Sequence, residues 1–205
     1  MKPTEASRKR APKPPAERTR NPDESRRALI EAAATLFNSV GYNGTDSNRI
    51  ARAAGYAPGT FYAHFPDKLA IFLAVYETWV VAELEAMSRA LEADASPRTL
   101  RARLAATILD HHRKWRVFRS SLRALYATDP VVREARLAQR ERQIAAMTAA
   151  LEARGRPVPG RAAMFARLLI FEALCDAVAD GDAKRLKIAE ADMLALLADN
   201  LRTPA

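Results

Sequence analysis

The sequence predicts an all-α protein, a short three-helix unit near the amino end followed by a longer helical unit, with about nine helices in all. Three observations predict it. Alanine, leucine and arginine dominate the 205 residues, and all three are good helix formers. Apolar residues recur at helical spacing between Pro and Gly breaks. The chain has seven glycines, and four of them, Gly41, Gly44, Gly55 and Gly59, crowd into the segment 41–59, which marks a region of tight turns.

Residues 1–20 mix Pro3, Pro12, Pro14 and Pro15 with charges and hold almost nothing apolar, so they are expected to be a disordered basic tail. Asn21-Pro22-Asp23-Glu24 reads as a helix start. Asn21 can cap, Pro22 suits the first helical position, and Asp23 and Glu24 favour the positive end of the dipole. Leu29, Ala33, Leu36, Phe37 and Val40 follow at helical spacing, and Gly41 stops the helix. A second helix is expected from Asp46 or Ser47 to Ala54, ended by Gly55. A third should run from Ala57-Pro58 to His64. Asp67 can cap a long fourth helix from Lys68 to near Ala90. Two helices of about eight residues joined by a turn of about four is the helix-turn-helix pattern. Further helices are expected over 97–114, 116–127, 130–154, 161–180 and 187–201. The breaks between them are Ser96-Pro97, Asp129-Pro130, 155–160 and Gly181-Asp182.

The formal net charge is +9, and its placement is uneven. Residues 1–22 carry seven basic and two acidic side chains, a balance of +5, while residues 23–70 carry five of each. The tail therefore reads as an attraction to a polyanion, and a solvated tail that aids solubility is the plain alternative. No run of 18 apolar residues occurs, so no membrane-spanning helix is expected. The basic amino end lacks a following apolar stretch and does not read as a secretory signal. Cys175 is the single cysteine, which fits a cytoplasmic location. No G-x-S-x-G, P-loop, H-E-x-x-H or C-x-x-C pattern appears. His111 and His112 are adjacent and point about 100° apart on a helix, unlike an i, i+4 metal pair. Glu83 and Glu85 lie on different faces. An enzyme, a metal site and a bound cofactor are not expected.

The segments Gly41-Tyr42-Asn43-Gly44-Thr45, Ile50-Ala51, Ala54-Gly55 and Gly59-Thr60-Phe61-Tyr62-Ala63-His64-Phe65-Pro66-Asp67-Lys68 resemble the TetR/AcrR family of repressors over about residues 25–75. The resemblance implies a sequence-specific, ligand-responsive, dimeric transcriptional repressor. It divides the chain into a tail (1–20), a helix-turn-helix DNA-binding domain (21–68) and a helical ligand-binding and dimerisation domain (69–205). The expected DNA-contacting residues are Thr45, Ser47, Asn48, Pro58, Gly59, Thr60, Tyr62, Ala63, His64 and Lys68. Thr45 and the free N–H groups of helix two can hold a phosphate. Lys68 is expected to do the same at helix four. Asn48 can bond adenine and Ala63 can touch a thymine methyl. Ile50, Ala51, Phe61 and Phe65 should face inward.

Ala57, Asp46, Ser47 and Pro58 depart from the family pattern at positions that are often Ser, Thr, apolar and Lys. The head is consequently neutral, and the tail is expected to supply phosphate attraction or enter a minor groove. The resemblance also implies an effector among helices four to eight. Trp79, His111, His112, Trp115, Phe118, Leu122, Tyr126, Met147, Phe171 and Cys175 are candidate lining residues. Arg113, Lys114, Arg116, Arg119 and Arg123 form a basic run that reads as a solvated face or as a lure for an acidic ligand. The last two helices are expected to pair with a second copy through Phe165, Leu169, Leu194, Leu197 and Leu201. The expected partners are thus palindromic double-stranded DNA, a small effector and a homodimer mate, with no membrane. Two rival classes stay open: a non-specific nucleoid-type DNA binder, and a helical ligand-binding protein with impaired DNA binding.

Overall fold

The computed structural model describes residues 21–91 and 95–202, so the tail expected over 1–20 lies outside the described residues. Ten helices and no strand occur among the described residues. They are α1 (Pro22–Val40), α2 (Ser47–Ala53), α3 (Pro58–His64), α4 (Lys68–Leu91), α5 (Pro97–Lys114), α6 (Arg116–Thr128), α7 (Pro130–Glu152), α8 (Arg161–Ala179), α9 (Asp182–Arg185) and α10 (Glu190–Asn200).

Short polar side chains start half of these helices. Asn21 Oδ1 accepts from the Asp23 N–H at 3.1 Å, Asp46 Oδ1 from the Arg49 N–H at 2.8 Å, and Asp67 Oδ1 from the Ala70 N–H at 2.7 Å. Ser96 and Asp129 do the same for α5 and α7. Each bond satisfies an amide that the helix itself leaves free. Ala57 supplies no such bond to α3, and Pro22, Pro58, Pro97 and Pro130 each open a helix.

The turn between α2 and α3 closes on Gly55, at φ 79°. The Tyr56 N–H donates to the Ala51 carbonyl at 2.9 Å and the Gly55 N–H to Arg52 at 3.0 Å. That 6→1 and 5→2 pair is the Schellman closure, which needs the left-handed conformation glycine adopts freely. The same closure appears where the sequence offered no glycine. Lys187 sits at φ 59°, with the Ile188 N–H bonded to Ala183 at 2.9 Å and the Lys187 N–H to Lys184 at 3.1 Å. The segment after Gly181 therefore forms a one-turn helix of its own, and the last helix begins at Glu190 instead of the expected 187.

Two apolar clusters organise the chain. The first joins Leu29, Ala33 and Phe37 of α1 to Ile50, Ala51, Phe61 and Phe65, and then to Ile71, Phe72, Val75, Tyr76, Trp79 and Val80 of α4. It continues to Phe118 and Leu122 of α6 and Val132 of α7. The core thus runs without a break across residue 68. Polar bonds reinforce that joint. Asn38 Nδ2 donates to the Lys114 carbonyl at 2.6 Å, and its Oδ1 accepts from the Phe118 N–H. The Tyr42 N–H donates to Ser121 Oγ at 3.0 Å.

The second cluster packs Ala105, Ile108 and Leu109 of α5 against Phe171 and Cys175 of α8 and Leu197 of α10. Leu197 is wholly buried there. It offers no surface to a second copy, a correction to its expected place in an interface. Leu194 and Leu201 are half-buried against the same cluster. Phe165, Leu169 and Ile170 of α8 and Leu196 of α10 are exposed. The helical period explains the split, because Leu196 and Leu197 are adjacent and point about 100° apart.

Candidate nucleic-acid interface

The α2–turn–α3 unit has a sealed inner face and an open outer one. Inside, Ile50, Ala51 and Phe61 are fully buried and Phe65 nearly so. The Phe61 and Phe65 rings lie 5.8 Å apart, and the Arg26 guanidinium sits 5.3 Å above Phe65. Phe61 and Phe65 are four residues apart, so both point to the same side of α3. Outside, Tyr62 is 57% exposed, and Pro58, Gly59 and Ala63 beside it are exposed. Asn48 is exposed on α2 and Ser47 half-buried. An ideal Cβ on Gly59 would meet nothing within 4 Å, so that position presents bare backbone outward.

Three of the expected contact residues are engaged elsewhere. Lys68 Nζ donates to the carbonyls of Tyr42 at 2.9 Å and Thr45 at 3.1 Å, and lies 4.0 Å from the Tyr42 ring centre. Burial lowers its pKa from the ordinary lysine value, with Asp46 opposing. Lys68 is therefore a clamp on the 41–45 loop. Two carbonyls and an aromatic face satisfy an ammonium well. Thr45, expected to offer its hydroxyl to phosphate, is buried, and its Oγ1 has no hydrogen-bond partner. Its carbonyl is held from inside the loop by Lys68. His64 is half-buried, with Nε2 2.7 Å from Ser25 Oγ, and so ties α3 back to the start of α1. In the clamped loop, a Cβ on Gly44 would lie 2.2 Å from the Val40 carbonyl oxygen, which accounts for the glycine.

Asp46 caps α2 instead of facing outward free. The exposed Arg49 donates from Nη1 to the Gly44 carbonyl at 2.9 Å. Arg49 and Arg52, both exposed on α2, were missed from the sequence. Nothing but their charge beside the turn signals them.

The family profile described as bacterial regulatory proteins, tetR family, matches residues 29–75. The segment that forms α2, the turn and α3 is thus similar to the amino-terminal head of tetR-family regulators. A curated relative, the HTH-type transcriptional regulator AcrR of Shigella flexneri, is 37% identical over 54 residues, 26% of this chain and 25% of AcrR. The chain thus spans about a quarter of the length of that relative. A TetR-family regulator from Rhodococcus sp. is 21% identical, covering 86% of this chain and 96% of that one, with a TM-score of 0.66. Another, from Mesorhizobium loti, is 24% identical over 88% and 95% with a TM-score of 0.61. At these identities the likeness establishes the fold. TetR/AcrR-type architecture therefore extends beyond the matched head to most of the chain.

The residues expected to line an effector pocket fall into several packed groups. Trp79 packs on His111 at 5.1 Å and His112 at 5.8 Å between ring centres, and Trp115 packs on Phe118 at 5.7 Å. Phe171 and Cys175 belong to the second apolar cluster and Leu122 to the first. Met147 is exposed, and Tyr126 lies beneath guanidiniums of α7. A charged network joins α4, α5, α6 and α8. Arg119, expected on a solvated face, is 2% exposed and sits 5.0 Å over the Trp79 ring. It donates from Nε and Nη2 to the two oxygens of Asp176 at 2.9 and 3.1 Å. Arg123 reaches Asp176 at 2.9 Å and Asp180 at 2.6 Å. His112 lies 3.3 Å from Glu83 and 3.5 Å from Asp176. Burial alone would raise the Asp176 pKa, but the nearby His112 ring, the hydrogen bonds from Arg119 and the charges of Arg119 and Arg123 hold it far below the usual aspartate value. Burial lowers His111 below the ordinary histidine value, with Glu83 opposing.

Proposed function

We propose that the chain is a TetR/AcrR-family regulator, a dimeric, ligand-responsive repressor that reads a palindromic operator through α3. One observation carries the reading. The outer side of α3 presents Tyr62, Ala63 and the bare Gly59 backbone while Phe61 and Phe65 anchor the helix from behind. A rigid helix with an unused, small-residue face is what a major groove admits. On this reading Asn48 and Ala63 contact base edges. Pro58, Thr60 and Tyr62 position the helix, and Ser47, Arg49 and Arg52 face phosphate. Thr45, His64 and Lys68 hold the head in shape.

Dimerisation is supported by the apolar residues that one chain leaves uncovered. On α8 Phe165, Leu169 and Ile170 share a stripe with Ala162, Ala166 and Ala173, all exposed. Leu196 of α10 adds to it. Spacing at i, i+3, i+4, i+7 and i+8 suits knobs-into-holes packing against a second copy, and two-fold symmetry then pairs two reading heads. The C-terminal helices are the unit that would hold an effector, and binding there must be reciprocally coupled to operator affinity.

The test is selection of a binding sequence from random duplexes, then footprinting of wild type and Tyr62→Ala. A short protected palindrome, lost in Tyr62→Ala at unchanged melting temperature, is the expected result. Protection of every sequence alike, or a Tyr62→Ala protein that binds as before, would overturn the reading.

A further inference from the structure

The face of α7 that turns into the protein is unexpectedly polar. Val132, Arg136, Gln139, Arg140 and Ile144 are its buried residues. Arg136 is 5% exposed and Arg140 7%. Buried arginines are rare unless fully paired, and these are not. Both guanidiniums converge on a single oxygen, Glu172 Oε2, at 2.7 and 2.8 Å. Arg136 Nε and Nη1 and Arg140 Nε are buried with no hydrogen-bond partner. Two positive charges and three unsatisfied N–H donors thus face one carboxylate. Packing alone would be served as well by apolar residues of similar volume, so the arrangement points to a missing acceptor.

A cavity of about 370 Å³ opens beside it. Arg140 forms part of its wall with Leu137, Ile144 and Phe165, while Arg161 and Glu141 pair with each other there. The Arg140 guanidinium also lies 5.8 Å from the Phe165 ring centre. The volume falls at the small end of ordinary ligand sites, which combine an apolar lining with a few placed polar groups.

We infer that the α7–α8 wall binds an amphipathic anion, its carboxylate or phosphate head taken by Arg140 with Arg136 behind it, and its short apolar tail laid against Leu137, Ile144 and Phe165. One negative charge balances the local excess of one guanidinium, and planar guanidiniums match the oxygens of such heads. The inference rests on the reading of the C-terminal helices as an effector unit, and names the class of effector.

The experiment is calorimetric titration of the full chain with octanoate, octyl phosphate, inorganic phosphate and uncharged octan-1-ol. Octanoate or octyl phosphate should bind at least about tenfold tighter than octan-1-ol, the factor expected from one charge-assisted bond. Inorganic phosphate, lacking a tail, should bind more weakly than octyl phosphate. Arg140→Gln should erase the preference for the anion. Because that variant removes a buried charge, Leu137→Trp serves beside it. Leu137 is an exposed wall residue on α7, outside the α8 stripe, so the indole should fill the cavity and abolish binding at unchanged circular dichroism. Equal binding of octanoate and octan-1-ol, or no binding of either anion to wild type, would overturn the proposal. So would loss of the dimer in Arg140→Gln without any anion binding, which would give the site to the subunit contact. Octanoate that binds with the stated preference yet leaves operator affinity unchanged upholds the anion site and sinks the effector reading instead.

Discussion

Asp176→Asn is the substitution that should most damage this fold without removing an apolar side chain. Asp176 accepts two bonds from Arg119 and forms an ion pair with Arg123. Arg119 is 2% exposed and pressed against Trp79, so water cannot replace the lost carboxylate. An amide in its place turns an NH₂ group toward one guanidinium nitrogen and leaves a buried cation without its counter-charge. Breaking a buried pair from one side costs about 3–5 kcal/mol. Asp176 keeps a 14% exposed edge and Arg123 a 34% exposed one, which favours the lower end, about 3 kcal/mol. For a chain of this size that lowers Tm by about 6–12 °C. Thermal and urea unfolding of wild type, Asp176→Asn, Arg119→Met and the double variant Arg119→Met/Asp176→Leu give the cycle. The double variant removes both charges and should recover most of the loss, since apolar replacement of a buried pair is near neutral. A Tm change under about 2 °C for Asp176→Asn, the size of a surface-pair effect, would refute the reasoning. A double variant less stable than Asp176→Asn would refute it equally.

Three further outcomes follow from the same geometry. Lys68→Met should lower stability by about 1–2 kcal/mol through the loss of two charged hydrogen bonds, while the slope of log affinity against log salt stays unchanged; a slope reduced by about one would return Lys68 to phosphate contact. Stability should fall on acidification in two windows, followed by urea titration at each pH. His111, held below the ordinary value of 6.5, favours unfolding as pH drops below 6.5. Asp176 and Glu172, held below 3.8 and 4.5, contribute stability present above those values and lost as pH falls through their lowered folded values; Asp176→Asn should flatten the second window alone. If the chain pairs as proposed, wild type should sediment as a dimer and Ile170→Arg as a monomer at unchanged helicity, because Ile170 is 51% exposed in one chain; a variant that still sediments as a dimer would move the proposed interface elsewhere.

The helix pattern was legible because its signals are local. Asn21, Asp46 and Asp67 each cap the helix they precede, and Gly55 takes the left-handed turn its position implied. The inward pair Phe61 and Phe65 was likewise legible, since four-residue spacing fixes a common face. What failed depended on contacts between distant segments. Lys68 looks like a surface cation until the 41–45 loop folds over it. Arg119 sits in a run of basic residues, and only the arrival of Asp176 from α8, 57 positions away, shows it to be core. Leu196 and Leu197 are indistinguishable in composition, and one residue of register separates an exposed side chain from a core one. Arg136 and Arg140 gave no signal at all, because a helix written with charges reads as solvated until packing places it.

The continuity of the first apolar cluster changes how an effector would reach the DNA. If the head hung from α4 alone, a tilt of that helix would suffice. But α1 also docks on the body: Asn38 bonds the Lys114 carbonyl and the Phe118 amide, Tyr42 bonds Ser121, and Phe72 lies 4.8 Å from Phe118 between ring centres. The head, the first turns of α4 and the start of α6 therefore share one packed core, and close-packed cores shift as units. Arg119 lies on α6 one position after Phe118, and its partner Asp176 lies on α8. Any ligand that displaces α8 pulls on α6 through this ion pair, and α6 carries the head through Phe118 and Ser121. Coupling by that route predicts that weakening the α1–α6 joint, for example by Asn38→Ala, reduces the effector's influence on operator affinity while leaving effector affinity for the DNA-free protein unchanged. Undiminished coupling in that variant would assign the transmission to α4 by itself.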